Sequence, residues 1–323
     1  MSFARAAGRV SVVSEVGRQR GSPKAINQDA YLAARILPVN SGAITVVGIL
    51  DGHGKDGHRA SRHAAKALRA YLQQWTNTPD EAAQTTVGLE LVKKDDSVST
   101  PTNTAALATM DLEQQEAEGA QAPCLLTPDA ARKLLVEAFK LTAASVKAAH
   151  LQRKMNADTS DTTACISVVL PDRARHLVAG GQVFQASDRH GNPVGPCRVV
   201  PKAAYGNTTG LAVSRTFGDL RLASAGVIAE PDVTIHQRCG CSSTTGSSTG
   251  AGPQQAGRPA EPLVVASDGL WEVVSNEEAL TLAAEPGCAE VGALALHETA
   301  KARWAEVHGG QHRDDITVAV TYL

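Results

Sequence analysis

The stretch ITVVGILDGHG, residues 44–54, decides how this chain is read. Ile44, Thr45, Val46, Val47 and Ile49 are β-branched, and the apolar run ends too soon for a buried helix. Residues 44–50 are therefore predicted to be a strand covered on both faces. The run leads straight into Asp51-Gly52-His53-Gly54, a turn signal. From Arg59 onward Ala60, Ala64, Ala67, Leu68, Tyr71, Leu72 and Trp75 recur at helical spacing, with Arg62, Lys66 and Arg69 on the opposite face. The local order is strand, glycine loop, helix.

Similar punctuation organises the rest. Thr127-Pro128-Asp129 opens a second helix, with threonine as cap, proline in the first turn and aspartate complementing the dipole. Its buried stripe is expected to be Leu135, Phe139, Thr142, Val146 and Ala149. A short apolar strand over 263–267 ends at Asp268-Gly269, and Ser275 with Glu278 has the form of a capping box. The chain closes on ITVAVTYL, residues 316–323, an alternating strand preceded by Asp314 and Asp315. Residues 76–122 are polar with weak periodicity, and 239–262 are dominated by Gly, Ser, Thr and Pro. Both are expected to be flexible surface insertions in one domain spanning 1–323.

Composition narrows the functions. Lysine plus arginine total 31 and aspartate plus glutamate 33, and a net charge of −2 gives no electrostatic reason to expect nucleic acid or an anionic membrane as partner. Aromatic residues are 3% of the chain, too few for base-stacking platforms. No apolar run approaches the roughly 20 residues of a spanning helix, and the first residues lack the apolar block of a secretory signal. The expectation is a soluble monomer of the cytoplasm and/or nucleus. The six cysteines are scattered and read as reduced structural thiols. His53, His58 and His63 do not share a helical face, which argues against zinc, and His308 with His312 reads as a solvated surface pair.

Three carboxylates stand at ends of predicted strands: Asp51, Asp268 and Asp314. An aspartate before glycine is first of all a turn residue. Strand ends can nevertheless converge at one rim of a sheet, and a few carboxylates plus a carbonyl suffice to hold hard divalent cations.

The wider context sharpens that reading. Asn27-Gln28-Asp29, LDGHG at 50–54, Asp161-Thr162-Thr163-Ala164, Ser214-Arg215-Thr216-Phe217-Gly218-Asp219, ASDGLWEVVS at 266–275 and Asp314-Asp315-Ile316-Thr317-Val318 occur in that order. This series resembles the motif ladder of the PP2C-type (PPM) metal-dependent protein serine/threonine phosphatases. The resemblance implies an α+β fold, an α-β-β-α sandwich of two antiparallel β-sheets flanked by helices. It implies two Mg²⁺ or Mn²⁺ ions, with Asp51 bridging them and serving catalysis, the Gly52 carbonyl as a ligand, Asp268 and Asp314 completing one site, and Gln28 and Asp29 acting through metal-bound waters. His53 matches the histidine that protonates the leaving alkoxide, and Lys24 stands where the family often has an arginine gripping substrate phosphate. From the residues alone, His53 can also be a hydrogen-bonded loop histidine and Lys24 a solvated lysine.

The activity so implied is hydrolysis of phosphoserine and phosphothreonine in phosphorylated protein substrates by metal-bound hydroxide, with no phosphoenzyme. None of the cysteines lies in a Cys-x5-Arg phosphate loop. The pattern breaks once. CISVVL at 165–170 is followed only by PDRARHLVA before Gly180-Gly181, and the family's Gly-Asp-Ser-Arg element is absent. Loss of central strands near 170–180 is the expectation. It leaves a second reading open, a catalytically impaired pseudophosphatase that binds phosphoproteins or acts as a regulatory protein.

Overall fold

The computed structural model describes residues 10–36, 44–73, 106–110, 127–169, 175–178, 211, 213–237, 261–284 and 288–323. In chain order the elements are β1 (Val10–Glu15), β2 (Arg18–Gln19), β3 (Ser22–Pro23), β4 (Ala30–Ile36), β5 (Ile44–Leu50), β6 (Gly52–Gly54), α1 (Gly57–Gln73), β7 (Ala106–Met110), α2 (Pro128–Leu151), β8 (Ser160–Thr162), β9 (Cys165–Val169) and β10 (Arg175–Val178). A 3-10 turn, Leu220–Ala225, precedes β11 (Thr234–Gln237), β12 (Pro262–Ala266), α3 (Asp268–Trp271), α4 (Asn276–Ala284), α5 (Ala289–His308), β13 (His312–Arg313) and β14 (Ile316–Tyr322).

Two antiparallel sheets face each other, one in the order β12-β14-β1-β7 and the other β4-β5-β9. Val10, Val12, Val265 and Ala319 of the first meet Ala33, Val47 and Ile49 of the second. The outer face of the first sheet, Val13, Ile316, Val318 and Val320, packs on Ala293, Leu296, Ala300 and Trp304 of α5. The outer face of the second, Leu32, Val46 and Leu50, packs on Ala60, Ala64, Leu68 and Leu72 of α1, with Leu135, Phe139 and Val146 of α2 in the same cluster. Each fully buried aliphatic side chain contributes roughly 1.5–3 kcal/mol, so these three layers are the main source of stability. Helix, sheet, sheet, helix is the expected fold.

Several details differ from the sequence reading, for physical reasons. β14 alternates in sequence yet is buried throughout 316–321, because α5 covers one face and the second sheet the other. Its inward threonine is matched rather than solvated, since Ser14 Oγ and Thr317 Oγ1 share a hydrogen bond of 2.8 Å. Within 76–122 the residues of β7 form a strand paired with β1; the rest of that stretch, and 239–260, lie outside the described residues. Thr127 caps α2 as expected, accepting from the Ala130 N–H at 3.2 Å. Ser275 caps α4 by accepting from the Glu278 N–H at 3.3 Å, but the Glu278 carboxylate reaches across to Arg303 at 2.5 and 2.6 Å. A bidentate guanidinium outcompetes the return bond of a capping box. His308 ends α5 and His312 opens β13, so the two rings meet each other edge-on, His308 stacked on Trp304 and His312 edge-on to it, rather than lying along one helix.

At the interrupted segment, β9 closes one side of the described second sheet, and β10 pairs with β11 as a separate ribbon. Among the described residues no helix is long and apolar enough to cross a membrane.

Candidate metal centre

The pairing registers bring one end of each sheet to a common rim. Ala30 pairs with Leu50, so Asp29, before β4, and Asp51, after β5, leave the second sheet at the same end. Ala266 pairs with Val318, which does the same for Asp268 and Asp314 in the first sheet. Ser267 joins the two rims, its hydroxyl donating to Asp29 Oδ2 at 2.8 Å and its oxygen accepting from the Thr317 N–H at 3.1 Å.

The carboxyl groups of Asp51 and Asp268 are close enough to share a hydrogen bond. Burial, then the charges of Asp29 and Asp268, push Asp51 well above the usual carboxylate range. Asp268 is raised by desolvation and by Asp314. Asp29, 2% exposed, is pushed up to about 7 by burial and then by the charge of Asp315. Bare carboxylates crowded in this way cannot all ionise cheaply, and a divalent cation relieves the repulsion.

In kind the donor set suits Mg²⁺ or Mn²⁺, although among the described residues Asp51, Asp268 and Asp314 do not form a group of three ligands within 4.8 Å of one another. The set is made of oxygen, from Asp51, Asp268, Asp314 and the Gly52 carbonyl, and Asp29 Oδ1 is a buried acceptor with no hydrogen-bond partner. Local structure fixes these groups. The Asp51 carbonyl accepts from Thr162 Oγ1 and the Thr163 N–H, both at 2.9 Å. Asp268 opens α3 beside Gly269, where an added Cβ would fall 2.0 Å from the Asp315 carbonyl oxygen. Trp304 Nε1 donates to the Gly269 carbonyl at 2.7 Å from the other side.

The remaining expected site residues occupy distinct places. Lys24 Nζ donates to Asp314 Oδ1 at 2.5 Å and lies 3.6 Å from Asp315 Oδ1. Burial lowers the Lys24 pKa, but Asp314 and Asp315 overcome this and raise it. The Gln28 side-chain amide donates to the Gly54 carbonyl at 2.6 Å, which ties it to the glycine loop. His53 is exposed on β6, with Nδ1 3.5 Å from Asp161 Oδ1.

Asp315 was passed over in favour of its neighbour, yet it is 3% exposed and accepts from the Gly17 N–H at 2.6 Å and the Gln28 N–H at 2.9 Å. It pins the 17–28 segment to the start of β14. The signal was its pairing with Asp314; what sequence could not supply was which of two adjacent acids turns inward. Asp161, Asp219 and His53 form a second group, with ligand atoms within 4.8 Å of one another. Asp161 stands in Asp161-Thr162-Thr163-Ala164 and Asp219 ends the 214–219 motif, and nothing in either stretch marks it as a metal ligand.

No protein-family model matches the sequence. A curated relative, "Probable protein phosphatase 2C 48" of Oryza sativa subsp. japonica, is 27% identical over 94% of this chain and 82% of its own length. "Probable protein phosphatase 2C 6" of Arabidopsis thaliana is 24% identical over 93% of this chain and 62% of its own length. "Probable protein phosphatase 2C 61", also from Arabidopsis thaliana, reaches 37% identity over 36% of this chain and 30% of its own length. The chain thus spans less than two thirds of the latter two. Among solved structures, the serine-threonine phosphatase 2C of Toxoplasma gondii superposes with a TM-score of 0.58 at 15% identity, covering 98% of this chain and 96% of that one. The serine/threonine phosphatase of S. agalactiae gives a TM-score of 0.50 at 15% identity, covering 97% and 98%. At such identities the superpositions establish the fold.

Proposed function

Because the chain is related to the PP2C phosphatases over nearly its whole length and shares their fold, we propose that it is a Mg²⁺- or Mn²⁺-dependent protein serine/threonine phosphatase. The observation that carries this reading is the close approach of the Asp51 and Asp268 carboxyls, which come from different sheets, with Asp29 and Asp314 near enough for their charges to act on Asp51.

Asp51, the Gly52 carbonyl, Asp268 and Asp314 would hold the ions, with Gln28 and Asp29 reaching them through water. A bound pair of such ions supplies an activated water and neutralises phosphoryl oxygens. The chain's own groups do the rest. Ser267 and Asp315 hold the two sheet rims together and keep the carboxyls fixed. Lys24 places a positive charge beside Asp314, where a phosphate approaching the carboxylates would meet it. His53 faces Asp161 through Nδ1, so Nε2 is the nitrogen that would deliver a proton to the departing serine or threonine oxygen. Burial raises the Cys165 thiol, away from the thiolate a covalent route requires.

The test is Mn²⁺-dependent release of phosphate from a phosphothreonine peptide by wild type, Asp51→Asn and Asp268→Asn. Activity in wild type and its loss in both variants is expected. A well-folded but inactive wild type would instead identify the chain as a non-catalytic phosphoprotein binder.

A further inference from the structure

The second cluster lies on separate elements. β6 pairs with β8, placing His53 opposite Asp161, and hydrogen bonds lay the 214–219 loop along β8. Thr216 Oγ1 donates to Asp161 Oδ2 at 2.6 Å, the Phe217 N–H donates to the Thr162 carbonyl at 2.9 Å, and the Asp219 N–H donates to the Ser160 carbonyl at 3.3 Å. Gly218, at φ 138°, permits this approach: an added Cβ would stand 2.4 Å from the Ser160 carbonyl oxygen and 2.7 Å from Asp161 Cα. The next residue, Asp219, is left-handed at φ 41° and buried against Asp161.

The result is electrostatically incomplete. Asp161 is 1% exposed and Asp219 7% exposed, and they face one imidazole. Asp161 Oδ2 is satisfied by Thr216, but Oδ1 is buried with no hydrogen-bond partner, and His53 Nδ1 lies 3.5 Å from it. A buried carboxylate oxygen left without a donor costs about 1–3 kcal/mol or more. Even a protonated His53 would leave two carboxylates sharing one positive charge. Burial and then the charge of Asp161 push Asp219 up to about 6, against the opposing effect of His53 and Arg221.

We propose that His53, Asp161 and Asp219 form a binding site for one divalent transition-metal ion, distinct from the strand-end carboxylate centre. Three donors about 2.0–2.2 Å from a common ion cannot all stand more than about 3.8 Å from one another; the ligand atoms here lie within 4.8 Å of one another, so the set closes on an ion with side-chain movements of up to about 1 Å. The set differs in chemistry from the strand-end centre. One imidazole nitrogen with two carboxylates favours Zn²⁺ over Mg²⁺, whereas the all-oxygen set suits Mg²⁺. His53, with 72% of its side chain exposed, leaves a route for an ion to enter from solvent.

The experiment is calorimetric titration of the full chain with Zn²⁺ in saturating Mg²⁺, which occupies oxygen ligands and leaves the mixed site to report. One Zn²⁺ per chain is expected in wild type and in Asp51→Asn, with at least tenfold weaker binding in Asp161→Asn and Asp219→Asn. Asparagine is tolerated in left-handed backbone, so Asp219→Asn preserves the loop and decides the matter if Asp161→Asn misfolds by circular dichroism. Wild type that binds no Zn²⁺, or an Asp219→Asn variant that binds as wild type does, overturns the proposal. So does loss of the Zn²⁺ in Asp51→Asn, which would place the ion in the strand-end centre. Phosphate release is not the readout, so failure here and failure of the phosphatase reading are distinguishable.

Discussion

Removing divalent cations should make the fold progressively less stable as pH rises, the reverse of ordinary carboxylate behaviour. Asp29 has an ordinary pKa of 3.8 and is pushed up to about 7 in the fold. Asp51, Asp268 and Asp219 are raised as well. Each binds its proton more tightly folded than unfolded, so the fold is favoured while they are protonated and loses stability from about pH 4 to about pH 7. A tenfold change in proton affinity is worth about 1.4 kcal/mol, so keeping Asp29 ionised in the fold above pH 7 costs roughly 4 kcal/mol. Asp51, Asp268 and Asp219 act in the same direction, so the Asp29 figure is a lower bound for the whole chain.

For a chain of this size roughly 2–4 °C of Tm corresponds to each kcal/mol, so the chelated protein should melt roughly 8 °C lower at pH 8 than at pH 5. Glu15, held below the usual range against the cost of burial by the adjacent His297, Arg313 and Lys301, stays ionised across this window and does not mask the trend. Millimolar Mn²⁺ should reverse the slope, because ligand carboxylates must be deprotonated before they bind. Thermal melts in chelator and in Mn²⁺ at pH 5, 6, 7 and 8 measure this, with Asp29→Asn expected to flatten the chelated curve. A chelated Tm that is flat or rises with pH, or an Asp29→Asn slope equal to wild type, would refute the reasoning.

Three further outcomes follow from single contacts. Gly269→Ala drives a methyl into the Asp315 carbonyl oxygen and should cost about 3 kcal/mol or more in urea unfolding; a loss under about 1 kcal/mol would mean that the start of α3 shifts freely. Ser267→Ala removes the hydroxyl that bridges Asp29 and Thr317, and should cost about 1–3 kcal/mol while steepening the pH slope above, since ionised Asp29 loses a donor. Lys24→Ala should raise KM for a phosphothreonine peptide roughly tenfold with a smaller effect on kcat, and Lys24→Arg should recover KM through two-point contact with phosphate; equal KM in all three would remove Lys24 from the substrate site.

The elements legible in the sequence were those whose residues answer to local rules. Strand β5, helix α1 and the Thr127 cap depend on periodicity and on short-range hydrogen bonds, and they lie where spacing puts them. β7 was not legible because ALATM, amid a polar stretch, becomes a strand only through pairing with β1, far away in sequence. Asp51, Asp268 and Asp314 could be named as a group because each adjoins a strong strand signal. Asp161 and Asp219 could not be joined to His53 in that way. Their meeting depends on the 214–219 loop lying flat on β8, which the glycine at 218 permits but does not announce.

The loss of strands expected near 170–180 would bear unequally on the two groups of ligands. Asp51 follows β5, which lies between β4 and β9, and Asp314 precedes β14, which lies between β12 and β1. Both are held by ladders on two sides, and Ser267 bonds the rims directly, so the strand-end centre does not rely on whatever borders β9. The His53 group rests instead on the short β6–β8 ribbon and on a loop that follows the interrupted segment. Its backbone pairings are few and its elements brief, which puts it at the less stable end of the fold. Weakening the β9 margin should therefore loosen the His53, Asp161 and Asp219 group first and leave the strand-end carboxylates able to bind cations. Hydrogen exchange would show this as faster exchange at Phe217 and Asp219 than at Val318 and Val320.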